Sequence, residues 1–160
     1  MIRLEKVRME DRQLLFNINQ KYLYEMTNYY DDMMDRNGNY SYGYFDGYFT
    51  DPNRKAFFIY DDERMVGFAF VNPYSYFDRE PDHVMAEFTV FPAFRNRHYG
   101  ETAARMLLER FPGKWEIKYN EKNIPARNLW NKMAERYRPE KLSYSEDETV
   151  LCFTVPGDFS

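Results

Sequence analysis

The chain is poor in residues that staple or span, and its charges lean slightly negative. One cysteine, Cys152, stands among 160 residues, so an internal disulfide is excluded. A lone thiol fits a reducing compartment, and its alternating surroundings read as a buried strand. No apolar run approaches the ~20 residues of a membrane span. Met1-Ile2-Arg3-Leu4-Glu5 lacks a secretion-signal pattern. A cytoplasmic protein with no membrane partner is expected. Lys and Arg total 22 against 26 Asp and Glu, a net charge of −4, which argues against a nucleic-acid binder. His83 is isolated, and no metal is expected.

Aromatic residues are abundant: 15 Tyr and 14 Phe. They supply much of the burial in a chain long enough for one domain over residues 1–160. Residues 2–8 alternate as a first strand. Asp11 then caps a helix whose stripe is Leu15, Ile18, Tyr22, Met26 and Tyr29. Asn37-Gly38-Asn39 breaks the chain, and Tyr40 to Pro52 reads as a turn or short helix. Residues 55–60 and 65–71 form a hairpin about a polar turn, and 84–91 is a fourth strand. A helix follows residue 100 and stops at Pro112-Gly113. Then come a strand around Trp115, Ile117 and Tyr119, a helix after Asn123, and two closing strands at 142–144 and 149–155. Strands alternate with helices throughout, so the fold class is mixed α/β.

One stretch organises the rest. Glu87-Phe88-Thr89-Val90-Phe91-Pro92 reads as a strand running into the basic loop Arg95-Asn96-Arg97-His98-Tyr99-Gly100, then a helix from Glu101. Free amides, cations and a helix N-terminus gathered together suit a pyrophosphate. As surface residues, Arg95 and Arg97 would be ordinary turn charges. This loop resembles the acyl-CoA-binding motif Arg/Gln-x-x-Gly-x-Gly/Ala of the GCN5-related N-acetyltransferase (GNAT) superfamily, with His98 at the first glycine position. Asn123-Ile124-Pro125-Ala126-Arg127-Asn128-Leu129-Trp130 is similar to the family's Asn-x-x-Ala-x-x-Phe/Leu-Tyr element, with Trp130 where tyrosine is usual. The chain is most similar to a branch of predicted acetyltransferases that shares its aromatic, acidic segment and its Phe111-Pro112-Gly113-Lys114-Trp115-Glu116 run.

The resemblance implies a single GNAT-like domain: a mostly antiparallel sheet of about seven strands, flanked by helices and splayed between its fourth and fifth strands. It also implies acetyl-CoA as co-substrate and an acetyl transfer to a primary amine. The cofactor-binding set is then Phe88, Thr89, Val90, Arg95, Asn96, Arg97, His98, Tyr99, Gly100, Glu101, Asn123, Ala126 and Trp130. Glu87 is the expected base, directly or through a water, or else a solvated or salt-bridged strand carboxylate. Tyr119 and Tyr137 are the hydroxyls left to donate a proton, since an indole N–H is no useful acid. Asn123 reads equally as a helix cap, and Trp130 as core.

Carboxylates at Glu25, Asp31, Asp32, Asp35, Asp46 and Asp51 outnumber the cations of the aromatic segment. With the faces of Tyr29, Tyr30 and Tyr48 they favour a cationic acceptor, such as a polyamine, an aminoglycoside or a peptide amine. Packing of those rings on the sheet is the alternative. A monomer or homodimer is expected. A catalytically weak acyl-CoA sensor or interaction module with the same fold is the competing reading.

Overall fold

The alternating and apolar runs become seven strands in a computed structural model, which describes residues 1–157. They are β1 (Ile2–Lys6), β2 (Lys55–Asp61), β3 (Arg64–Asn72), β4 (His83–Val90), β5 (Gly113–Asn120), β6 (Glu140–Ser143) and β7 (Glu148–Val155). The helices are α1 (Arg12–Met26), α2 (Gly47–Thr50), α3 (Tyr99–Arg110) and α4 (Ile124–Ala134). The last three residues of the expected 1–160 domain lie outside the described residues.

All strands join one sheet in the order β1-β2-β3-β4-β5-β7-β6, and only β4 and β5 are parallel neighbours. Helices cover both faces, so β2 and β3 carry nearly continuous apolar runs rather than a strict alternation. Phe57, Ala69 and Val71 point to the face packed by α3 and α4, where Leu107, Trp115 and Trp130 join them. Phe58, Phe68 and Phe70 point to the other face, under Leu15 of α1 and Tyr48 of α2. Each such buried ring contributes about 1.5–3 kcal/mol relative to exposure.

Two backbone features shape the middle of the sheet. Ala86 is an extra residue in β4, because Phe70 pairs with Glu87 while Val71 pairs with Met85. Such a bulge bends its strand. After His83–Met85 pair with Trp115–Ile117, β4 and β5 pair no further. Gly67 permits the close approach of β3 to the end of β4: a Cβ there would stand 2.1 Å from the Thr89 carbonyl oxygen.

Some expectations shift. Asp11 stands at the cap of α1 but makes no capping bond, because the 3-10 turn Met9–Asp11 leads straight into the helix. Glu116, on the polar side of the predicted alternation, is buried. Its oxygens accept from the Ser75 hydroxyl (2.6 Å) and the Tyr76 N–H (2.9 Å), anchoring the loop before β4. Cys152 is only half-buried. Among the described residues no helix is long and apolar enough to cross a membrane.

Candidate active site

The loop that enters α3 is built from unusual backbone conformations. After β4 a 3-10 turn, Pro92–Phe94, reverses the chain. Asn96 (φ 65°) and His98 (φ 64°) then adopt left-handed conformations. The second explains why glycine is usual at that position: it holds this conformation without steric cost. His98 occupies the N-cap of α3 without a side-chain capping bond, and the first helical N–H to find an acceptor is that of Thr102 (His98 oxygen, 3.2 Å). The N–H groups of residues 96 to 101 therefore have no acceptor among the described residues. A run of free donors at the N-terminus of a twelve-residue helix is a seat for an anion.

The side chains of this loop divide in function. Arg95 is already engaged: its Nη atoms bind both oxygens of Glu25 (2.6 and 2.7 Å), and its Nε donates to the Val90 carbonyl (2.8 Å). It ties the loop to the end of α1 instead of facing the free amides. Arg97 is exposed, lies 5.9 Å from the Phe94 ring centre and has no carboxylate partner among the described residues. Tyr99 donates to Asp61 (2.6 Å) and packs α3 against the end of β2. Glu101 pairs with Lys132 (2.7 Å), which holds its carboxyl below the usual range and offsets its charge beside the amides.

From this loop a cleft of about 1480 Å³ runs through the opening between β4 and β5. Phe88 and Val90 line it from β4, Ala126 and Trp130 from α4. The Phe91 N–H bonds the Val66 oxygen, so Thr89 and Glu87 also bond to β3 by alternation. The N–H groups of Phe88 and Val90 are thereby turned to the opening. Trp130 is buried edge-to-face against Phe88, with ring centres 5.1 Å apart. Asn123 lines the cleft and caps α4, its Oδ1 accepting from the Ala126 N–H (3.3 Å).

On the far side of the opening stands Glu87. The hydroxyls of Tyr22 and Tyr42 each donate to one of its oxygens at 3.0 Å. Burial raises the Glu87 carboxyl to about 7, against the pull of those hydrogen bonds and of Lys118. Burial and the adjacent carboxylate push both phenols far above their ordinary range, so they remain donors. Tyr22 fits the predicted stripe of α1, which lays its ring on Phe68. Nothing local in the sequence linked it, or Tyr42, to Glu87.

The remaining expected residues fall in different places. Tyr29, Tyr30 and Tyr48 line the cleft. Tyr30 donates to Glu148 (3.0 Å), while Tyr48 stacks on Phe70 and accepts from Asn72 (3.0 Å). Tyr119 lines the cleft, its oxygen accepting from Asn131 (3.0 Å). Tyr137 does not reach the cleft. A 3-10 turn after α4 stacks its ring on Phe153, with centres 5.5 Å apart.

Residues 15–134 match the model of the Acetyltransferase (GNAT) family. No curated protein sequence is significantly similar to the chain. The fold matches that of a spermidine N-acetyltransferase from Vibrio cholerae solved with CoA and spermine. The two are 12% identical with a TM-score of 0.66, over 96% of this chain and 95% of that chain. Arabidopsis thaliana NAA60 in complex with acetyl-CoA is 10% identical with a TM-score of 0.63, over 98% of this chain and 100% of that one. The PaiA N-acetyltransferase of Thermoplasma acidophilum in complex with coenzyme A gives 9% and 0.60, over 96% and 99%. With its family model covering most of its length, the chain belongs to the acetyltransferase (GNAT) family.

Proposed function

We propose that this protein transfers an acetyl group from acetyl-CoA to a primary amine of a small molecule or peptide, by direct attack while both are bound. The observation that carries this reading is that Asn96 and residues 98–101, whose N–H groups are free, line one cleft together with Glu87. We assign the diphosphate to those amides, with Arg97 beside them. Phe88 and Val90 offer open-edge N–H groups to the pantetheine and the thioester carbonyl, and Asn123, Ala126 and Trp130 form the opposite wall. Acetyl-CoA, when bound, supplies an acyl carbon activated as a thioester.

An alkyl amine with a pKa near ~10.4 arrives protonated and without a lone pair. Glu87 takes that proton, directly or through a water, and its pKa of about 7 suits a base working near neutrality. Tyr22 and Tyr42 hold the carboxylate in place. Tyr119 is our proton donor to the sulfur. Tyr29 and Tyr30 face the acceptor, an amine of the polyamine, aminoglycoside or peptide class. A lone thiol supports a cytoplasmic location.

Trp130 favours a second reading, an acyl-CoA sensor with weak turnover, because no hydroxyl occupies that place. Release of free thiol from acetyl-CoA across a panel of amines separates the two. Turnover establishes the transferase, and binding of acetyl-CoA without turnover supports the sensor.

A further inference from the structure

Composition makes the acceptor side look like a trap for polycations, yet the carboxylates counted there are mostly consumed. Glu25 is held by Arg95, Asp46 by Arg12 (2.6 Å) and Asp51 by Arg54 (3.4 Å) and the Tyr74 hydroxyl (2.6 Å). Asp35 accepts from the N–H groups of Asn37 and Asn39 in its own turn. Asp32 lines the cleft without a cation partner among the described residues, but it is exposed, where water screens its charge.

The aromatic faces are occupied as well. The Lys118 ammonium lies 4.8 Å from the ring centres of both Tyr76 and Tyr144, and binds Glu148 at 3.0 Å. The Arg54 guanidinium lies 4.4 Å from the Tyr44 ring and 4.5 Å from that of Tyr74. Both cations line the cleft. Each sits where a second ammonium of a substrate would gain its cation–π contact and its counter-charge. Among the carboxylates that line the cleft, only Glu87 and the exposed Asp32 have no cation partner among the described residues, and Asp31, also unpaired there, is not part of the lining.

We propose that the acceptor is a monoamine, with one ammonium group on an otherwise uncharged body, and that Lys118 and Arg54 exclude diamines and polyamines by filling the aromatic cages themselves. This inference rests on the acetyltransferase reading and narrows it. Like-charge repulsion from two fixed cations disfavours a second substrate charge, so the two residues set specificity by rejection.

The test compares hexylamine with the diamine of the same chain length, at saturating acetyl-CoA, by thiol release. The parent protein is expected to favour the monoamine in kcat/KM by about tenfold or more per reactive end. Lys118→Met vacates the Tyr76 and Tyr144 faces and frees the Glu148 carboxylate, so the ratio should fall or reverse. Lys118→Arg keeps the charge and should retain the parent ratio, which separates lost charge from a disturbed fold. A parent that prefers the diamine, a ratio untouched by Lys118→Met, or no turnover of the monoamine would each overturn the proposal. Calorimetry with acetyl-CoA reports separately on the underlying reading: binding in those cases leaves the cofactor assignment standing, and its absence removes both.

Discussion

The Tyr22 hydroxyl on α1 donates to Glu87 Oε1 on β4 at 3.0 Å, joining residues 65 positions apart that both line the cleft. A base works only when deprotonated, and the Glu87 carboxyl is raised to about 7. Turnover should therefore climb with pH through that region. Glu87→Gln should lower kcat about a hundredfold and abolish that limb. Tyr22→Phe removes a bond that favours the carboxylate, so its limb should move to higher pH. A Glu87→Gln enzyme with the parent's pH–rate profile would remove this residue from the chemistry.

The same carboxyl has a cost in stability. Its folded pKa lies above the ordinary 4.5, so its stabilising contribution is complete below 4.5 and disappears as pH rises through about 7. The Gln variant does not titrate. Thermal melts should show the variant gaining on the parent between pH 4.5 and 8, by up to about 3 kcal/mol. Parallel curves for the two proteins would contradict the assigned shift.

His98 is exposed and held at φ 64°, at the start of α3. His98→Gly relieves a left-handed strain of about 1–2 kcal/mol and adds unfolded-chain freedom worth about 0.5–1 kcal/mol. A net gain of about 0.5–1 kcal/mol in chemical denaturation is expected, with acetyl-CoA affinity retained. A destabilised variant would mean that the imidazole makes a contact beyond its backbone role.

Arg95 ties α1, and with it Tyr22, to the end of β4. Because the ion pair with Glu25 is partly exposed, Arg95→Gln should cost less than about 1 kcal/mol of stability. Loosening the acceptor wall should raise KM for the amine more than KM for acetyl-CoA. The reverse pattern would make Arg95 a phosphate ligand.

Much of the fold was legible because it follows from short-range patterning. Val90-Phe91-Pro92 and the loop to Gly100 mark the entry to α3, and Trp115, Ile117 and Tyr119 mark β5. Partners distant in sequence were not legible. Glu25 lies 70 residues from Arg95, and Tyr42 lies 45 from Glu87. Periodicity says which face a side chain takes, not which charge it meets there. The acidic composition of residues 22–51 therefore pointed to a free negative surface, whereas arginines and local turns take up most of it. Tyr137 looked available from its place after α4, but the 3-10 turn swings it onto β7.

Calorimetric titration of the parent protein with acetyl-CoA and with acetylpantetheine, which lacks the diphosphate and nucleotide, tests the amide seat most directly. Acetyl-CoA should bind at one site, and acetylpantetheine about a hundredfold more weakly, because charge-assisted bonds to the amides of residues 96–101 are lost. Equal affinities for the two compounds, or no heat with acetyl-CoA, would show that those free N–H groups do not hold a nucleotide thioester.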